Sequence, residues 1–180
     1  MTSIIEITDL PLKGAFIIKP SEFFDSRGAF YKIYTEEVLL KKNLKPYFAE
    51  EFITTSKKGV LRGLHYQEEP FAQGKLVHCL RGEMYDVIVD LRKNSDTFEK
   101  WTSVVISEKN RFTVYIPPGF AHGFLALGED THTLYKTSKR YSPEHERGIR
   151  YDDSALKISW PDISPKIISE KDQKWPRLKI

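Results

Sequence analysis

Cysteine is nearly absent from this 180-residue chain, which has only Cys79, in "KLVHCLRG". A single thiol excludes an internal disulfide framework and a cysteine-based metal cluster. Its apolar strand neighbours make it an inert core residue. Long hydrophobic runs are also missing: none approaches the roughly 18 residues needed to cross a bilayer. The N-terminal "MTSIIEITDLPLKG" has no basic segment followed by a long apolar run, so no signal peptide is expected. Charge of one sign is not in large excess, with 28 Lys and Arg against 25 Asp and Glu, a net +3. That is too mild to point to nucleic acid, yet it does not repel an anionic small molecule. The expectation is a soluble, cytoplasmic protein with no nucleic-acid or membrane partner.

What the chain does contain is β pattern. Aromatic residues make up 13%, which suits a dense β core or a stacking site. "AFIIKP" reads as a first strand, and "FFDSRGAFYKIY" as a loop leading into another. "YFAEEFITTS", "VLRGLHYQ", "KLVHCLRG", "EMYDVIVDLR", "WTSVVIS", "FTVYIP", "HGFLAL" and "THTLYKTS" follow, each strand-like. Turns are expected at "RGE", "KNSDT", "EKN" and "GED". "TEEVLLKKN" reads as one short helix, with Thr35 as N-cap and two Glu in its first turn. The tail "SPKIISEKDQKWPRLKI" reads as short helix or coil. Short strands at near-regular spacing predict a single all-β domain over residues 1–180, a jelly-roll barrel with a few short helices.

Four stretches carry side chains that such a fold must explain. In "GVLRGLHYQ", Arg62 and His65 would face opposite ways in a regular strand. They share a site only if the strand bulges, and Gly63 permits that. The alternative leaves Arg62 on an outer face and His65 as a satisfied core histidine. "VYIPPGFAHGFLAL" frames His122 with two prolines and two glycines, as a rigid turn would. Lys75 opens the apolar strand of "QGKLVHCLRG", where an ammonium is costly without an anionic partner. "TLYKTSKRYSPEHERG" adds Tyr135 and Glu146. Together these segments offer Arg, two His, Lys and Tyr. His and Tyr suit acid–base work, Lys and a second His suit an oxyanion, and Arg suits a diphosphate. Proton abstraction next to a ketone needs this combination, with a base that titrates near neutrality, which histidine supplies.

With "DSRGAF", "GVLRGLHYQ", "QGKLVHCLRGEMYDVIVDLRKNSDTF", "IPPGFAHGFLAL", "YKTSKRYSPEHERGI", "ISWP" and "SEKD", the chain resembles the dTDP-4-dehydrorhamnose 3,5-epimerases of the cupin superfamily, nearly end to end. The resemblance implies a jelly-roll homodimer joined through extended β pairing. It implies a nucleotide-sugar substrate, a 4-keto-6-deoxyhexose inverted at C3 and C5 on the way to L-rhamnose for surface polysaccharide. It implies neither metal nor organic cofactor. His65 resembles the family's base, Asp172 the carboxylate that orients it, Tyr135 the acid on the opposite face and Lys75 the group on the enolate oxygen. Arg62 and His122 resemble substrate contacts, Arg62 near the diphosphate, and Glu146 and Lys171 hold further substrate positions. Arg27, Phe23 and Phe30 resemble an arm that contacts the nucleotide in the partner subunit.

The chain departs from the family pattern at two places. Lys32 stands where the family has Glu, and Glu50, Glu51 and Phe52 stand where it has Gln-x-Asn. Ionised Glu50 and Glu51 offer only acceptors, which suit the amino group of cytosine. Alternatively they point to solvent or pair with Lys32 and Arg62, leaving dTDP as ligand. A metal cupin carries an H-x-H cluster, but His65 is followed by "YQEEP". A barrel that only binds a nucleotide-sugar has no need of His65, Tyr135 and Asp172 together. Within the family, inversion at one carbon only, or of a CDP-linked sugar, remains open.

Overall fold

The structure, a computed structural model, describes residues 5–164 and 166–178. Met1–Ile4, Pro165, Lys179 and Ile180, which include parts of the leader and tail expectations, lie outside the described residues. In chain order the elements are β1 (Glu6–Asp9), β2 (Phe16–Lys19), β3 (Glu22–Asp25), β4 (Gly28–Tyr31), α1 (Glu36–Lys41), β5 (Glu50–Lys57), β6 (Val60–Gln67) and β7 (Lys75–Arg81). They continue with β8 (Glu83–Asp90), β9 (Trp101–Ser107), β10 (Thr113–Ile116), β11 (Phe120–Ala126), β12 (Asp130–Thr137), β13 (Glu146–Gly148), β14 (Ile167–Ile168) and α2 (Glu170–Gln173).

One sheet runs β1-β2-β10-β7-β12-β5, and a second runs β13-β6-β11-β8-β9 with β14 parallel to β6. The two pack face to face as an all-β jelly roll, as expected, with two short α-helices and a 3-10 turn at Pro143–His145 among the described residues. Inward residues of both sheets, including Val77, Met84, Ile88, Val114, Phe124 and Tyr135, form one core. β12 shows why these segments become strands: its "DTHTLYKT" alternates buried and accessible positions, with β-branched or aromatic residues inward. β7 is buried on both faces over much of its length because α1 covers the outer one, Val38 and Leu39 joining Phe16, Ile18, Leu76 and Tyr115. α1 starts where expected, although the Thr35 side chain makes no capping bond.

The fold corrects three local expectations. β1 precedes the segment read as the first strand. The stretch read as a loop at "FFDSRGAF" is largely the β3–β4 hairpin, which is separate from both large sheets. The tail is not only helix or coil, since Ile167 and Ile168 add a parallel strand against Val60 and Leu61. That strand sets α2 beside β6, and it therefore matters for the site.

Candidate active site

β6 does not run evenly along β11. His65 opposes His122, but Arg62 opposes Phe124, so β6 spends three residues where β11 spends two. The extra length falls at Gly63–Leu64, a cis peptide, with Gly63 at φ +123°. A Cβ on Gly63 would lie 2.5 Å from Gly123 Cα and 2.9 Å from the His122 carbonyl oxygen. The strands approach so closely that only glycine fits. The bulge turns both Arg62 and His65 into one cavity of about 320 Å³ between the sheets.

His65 is held from the tail. Asp172 Oδ1 lies 2.6 Å from His65 Nε2 and accepts from the Trp175 indole at 3.3 Å, while Oδ2 accepts from the Gly63 N–H at 3.3 Å. Burial opposes the ionised carboxylate, but these bonds, with His65 foremost, hold Asp172 below the usual carboxylate range. An ionised Asp can only accept, so Nε2 carries the proton and Nδ1 is left for the cavity. Ser169 caps α2 by accepting from the Asp172 N–H at 3.1 Å. Trp175 packs on Gly148, where a Cβ would sit 2.4 Å from the indole, and meets the His65 ring edge-on at 6.2 Å.

The facing wall comes from the other sheet. Tyr135 on β12 is 7% exposed. Burial and then the charge of Asp86 push its phenol well above the ordinary tyrosine range. Phe52 lies flat on it, centroids 4.9 Å apart, and His122 meets it edge-on at 5.9 Å. Lys75 opens β7 on the same face. Burial pushes its ammonium down to about 8, although Asp86 and Glu146 favour the charged form. Arg62 donates to Ser56 Oγ at 3.0 Å and the Thr55 carbonyl at 3.1 Å. Among the described residues it has no carboxylate partner. The cavity thus holds an oriented imidazole, a phenol across from it, an ammonium and a guanidinium free for an anion.

A profile of the dTDP-4-dehydrorhamnose 3,5-epimerase family matches residues 9–179. The chain belongs to that family. A dTDP-4-dehydrorhamnose 3,5-epimerase of Methanothermobacter thermautotrophicus is 46% identical over 170 residues, 93% of this chain and 91% of that one. The crystal structure of an enzyme of the same name from Elizabethkingia anophelis superposes with a TM-score of 0.92 at 42% identity, covering 96% of both chains. A dTDP-6-deoxy-D-glucose-3,5-epimerase from Legionella pneumophila, solved in complex with dTDP-4-keto-L-rhamnose, superposes at 0.92 with 38% identity, covering 97% of this chain and 93% of that one.

Among the residues assigned by resemblance, Arg62, His65, Lys75, His122, Tyr135, Lys171 and Asp172 line the one cavity, as does Phe52. Glu146 stands behind it, accepting from Lys171 at 2.5 Å and from the Tyr141 hydroxyl at 2.6 Å. His122 is not delivered by a turn: Pro117, Pro118 and Gly119 precede β11, and His122 lies within it, buried against Asp86 Oδ1 at 2.6 Å. Arg27, Phe23, Phe30 and Lys32 are not at this cavity. They line a separate concavity on the β3–β4 hairpin, where Arg27 pairs with Asp25 at 2.6 Å. Glu50 and Glu51 do not pair with Lys32 or Arg62 either. Glu50 accepts from the Tyr141 N–H at 3.0 Å and Glu51 pairs with Lys136. Cys79 is buried, and burial pushes its thiol up to about 11.

Sequence reasoning missed Asp86, Trp175 and Thr54. Asp86 left a signal, since it shares the inward parity of Met84 and Ile88 in an apolar strand, where a lone acid needs a partner. Trp175 left none, because its contacts span the tail and the sheet. Among the described residues no cluster of His, Cys, Asp and Glu could hold a metal ion, and no helix is long and apolar enough to cross a membrane.

Proposed function

We propose that this epimerase inverts C3 and C5 of a dTDP-linked 4-keto-6-deoxyhexose, with His65 as base and Tyr135 as acid. One observation carries the reading: His65 stands on one sheet and Tyr135 on the facing sheet, across a single cavity. A proton taken from one face of the sugar and returned to the other inverts the carbon. His65 Nδ1 removes the proton next to the C4 ketone. The C–H pair becomes the enolate double bond, and the carbonyl pair moves onto oxygen. Lys75, cationic below about pH 8, meets that oxygen with His122 beside it. Tyr135 then protonates the carbon from the opposite side. C3 and C5 both flank C4, so one residue set serves both. Arg62, without a carboxylate partner among the described residues, takes the diphosphate.

A dTDP ligand is supported by the names of the relatives, and Glu50 and Glu51 each have an internal partner, the Tyr141 N–H and Lys136, that gives them a use without cytosine. The β3–β4 hairpin exposes Phe24 and Phe30 away from the chain's own cavity. A homodimer in which Arg27, Phe23, Phe30 and Lys32 reach the partner's nucleotide gives that arm its use. The work proceeds in the cytoplasm, and the product enters L-rhamnose-type deoxysugar synthesis for surface polysaccharide.

NMR analysis of product from dTDP-4-keto-6-deoxy-D-glucose tests this directly. Inversion at both C3 and C5 is expected. Inversion at one carbon only, or turnover only of the CDP-linked sugar, overturns it. Light scattering at micromolar concentration tests the dimer, which a monomeric mass would refute.

A further inference from the structure

Thr54 stands in the cavity wall beside the Tyr135 phenol, and among the described residues its hydroxyl has no partner within 3.5 Å. Its Oγ1 is buried and makes no hydrogen bond among the described residues. An unsatisfied buried hydroxyl costs about 1–3 kcal/mol, so valine would serve this position better if packing were its only task. The strand around it is already committed to the site. Phe52, Thr54 and Ser56 share one face of β5 by the period of two. Phe52 is the register partner of Tyr135 and stacks on it, and Ser56 holds Arg62. Thr54 lies between them, close enough to Tyr135 to favour the ionised phenol, as the charge of Arg62 does, against burial and Asp86.

We propose that Thr54 is a positioning residue for the acid step, its hydroxyl donating to the Tyr135 oxygen as that oxygen gives up its proton. This rests on Tyr135 being the acid. In that step the Tyr135 O–H bond breaks, the enolate π pair takes the proton to form the new C–H bond, and the O–H pair stays on the phenolate oxygen. That oxygen then carries a full charge in a buried site beside Asp86. A donor that lies close but unbonded by distance beforehand, and bonds fully to the phenolate afterwards, strengthens along the reaction, and only such contacts accelerate it. Phe52 keeps the ring flat against β5, so the phenolate forms within reach of the hydroxyl.

Thr54→Val removes the hydroxyl at nearly constant shape, and Thr54→Ala is a second hydroxyl-free variant should the first not fold. Either is expected to lower kcat about tenfold, the equivalent of about 1.4 kcal/mol, with KM little changed. In D2O the substrate recovered from these variants gains deuterium while inversion lags, because His65 still acts. A merely structural role would lower exchange and inversion together. Thr54→Ser restores the rate. Wild-type kcat in the Val and Ala variants, an unchanged exchange-to-inversion ratio, or failure of Ser to rescue overturns the proposal. Full activity in Tyr135→Phe would instead show that the acid assignment beneath it is wrong.

Discussion

Asp172 offers the most direct way to perturb the proposed base, His65, without touching it. Its carboxylate is 5% exposed and accepts from His65 Nε2 at 2.6 Å, alongside Gly63 N–H and the Trp175 indole. In the proposed mechanism the bond to Nε2 strengthens as the imidazole takes up the substrate proton and becomes cationic, so it acts mainly on the transition state. Asp172→Asn keeps an acceptor but removes the charge. A charge-assisted bond contributes about 1.5–3 kcal/mol and a neutral one about 0.5–1.5, so the loss is about 1–1.5 kcal/mol. That corresponds to roughly a 5- to 15-fold lower kcat. Asp172→Ala removes the acceptor entirely and leaves the Gly63 N–H and the indole without it. The whole bond is then lost, which is about 10- to 150-fold. The expected order is wild type, then Asn, then Ala, with KM changing less than kcat. Steady-state rates on dTDP-4-keto-6-deoxy-D-glucose, with circular dichroism to check folding, read the series. An Asn variant within about twofold of wild type, or Asn and Ala variants equally impaired, would refute the reasoning.

Turnover should fall as pH rises through about 8, where the desolvated Lys75 ammonium loses its proton. Lys75→Arg should move that limb to higher pH, and an unchanged limb in the Arg variant would contradict the assignment. Gly63→Ala must place a Cβ against Gly123 and the His122 carbonyl at φ +123°. Strain of about 1–3 kcal/mol and a shift of His65 that costs on the order of 100-fold in kcat should show in thermal melts and rates, whereas native values for both would contradict the close-approach argument. His78 is buried with Nε2 unpartnered, and burial lowers its pKa. Its neutral form is favoured in the fold, so stability present above the unfolded value, about 6.5, is lost as pH falls below it, by up to about 1.4 kcal/mol per pH unit. His78→Leu should flatten the decline in urea stability below neutral pH, and parallel declines in both proteins would count against it.

The all-β class was legible because strands such as β12 alternate cleanly and carry β-branched residues inward. The elements that were not legible are those whose pattern is short or unburied. β1 is four residues with acidic ends at least partly open to solvent, and the β3–β4 hairpin has no fully buried residue, so neither shows an inward face. β14 is two residues that become a strand only because β6 is there to pair with. At the site, Gly63 announced the bulge that lets Arg62 and His65 share a wall, since glycine inside an apolar strand marks a close approach. The partner of His65 could not be found from local pattern. Asp172 lies 107 residues away, and only the family resemblance joined the two. Thr54 and Trp175 acquire their meaning from contacts across β12 and β13 that no spacing encodes. Arg27 and Phe30, expected from the resemblance to form an arm, lie together on the β3–β4 hairpin and not at the chain's own cavity.

The central claim is that one face of the sugar is served by His65 and the other by Tyr135. Incubation of dTDP-4-keto-6-deoxy-D-glucose in D2O, followed by NMR at C3 and C5, tests it most directly. Wild type should incorporate deuterium at both carbons with inversion, and His65→Ala should incorporate none. Tyr135→Phe should exchange without inverting. Deuterium with inversion in His65→Ala, or normal inversion in Tyr135→Phe, would contradict the account.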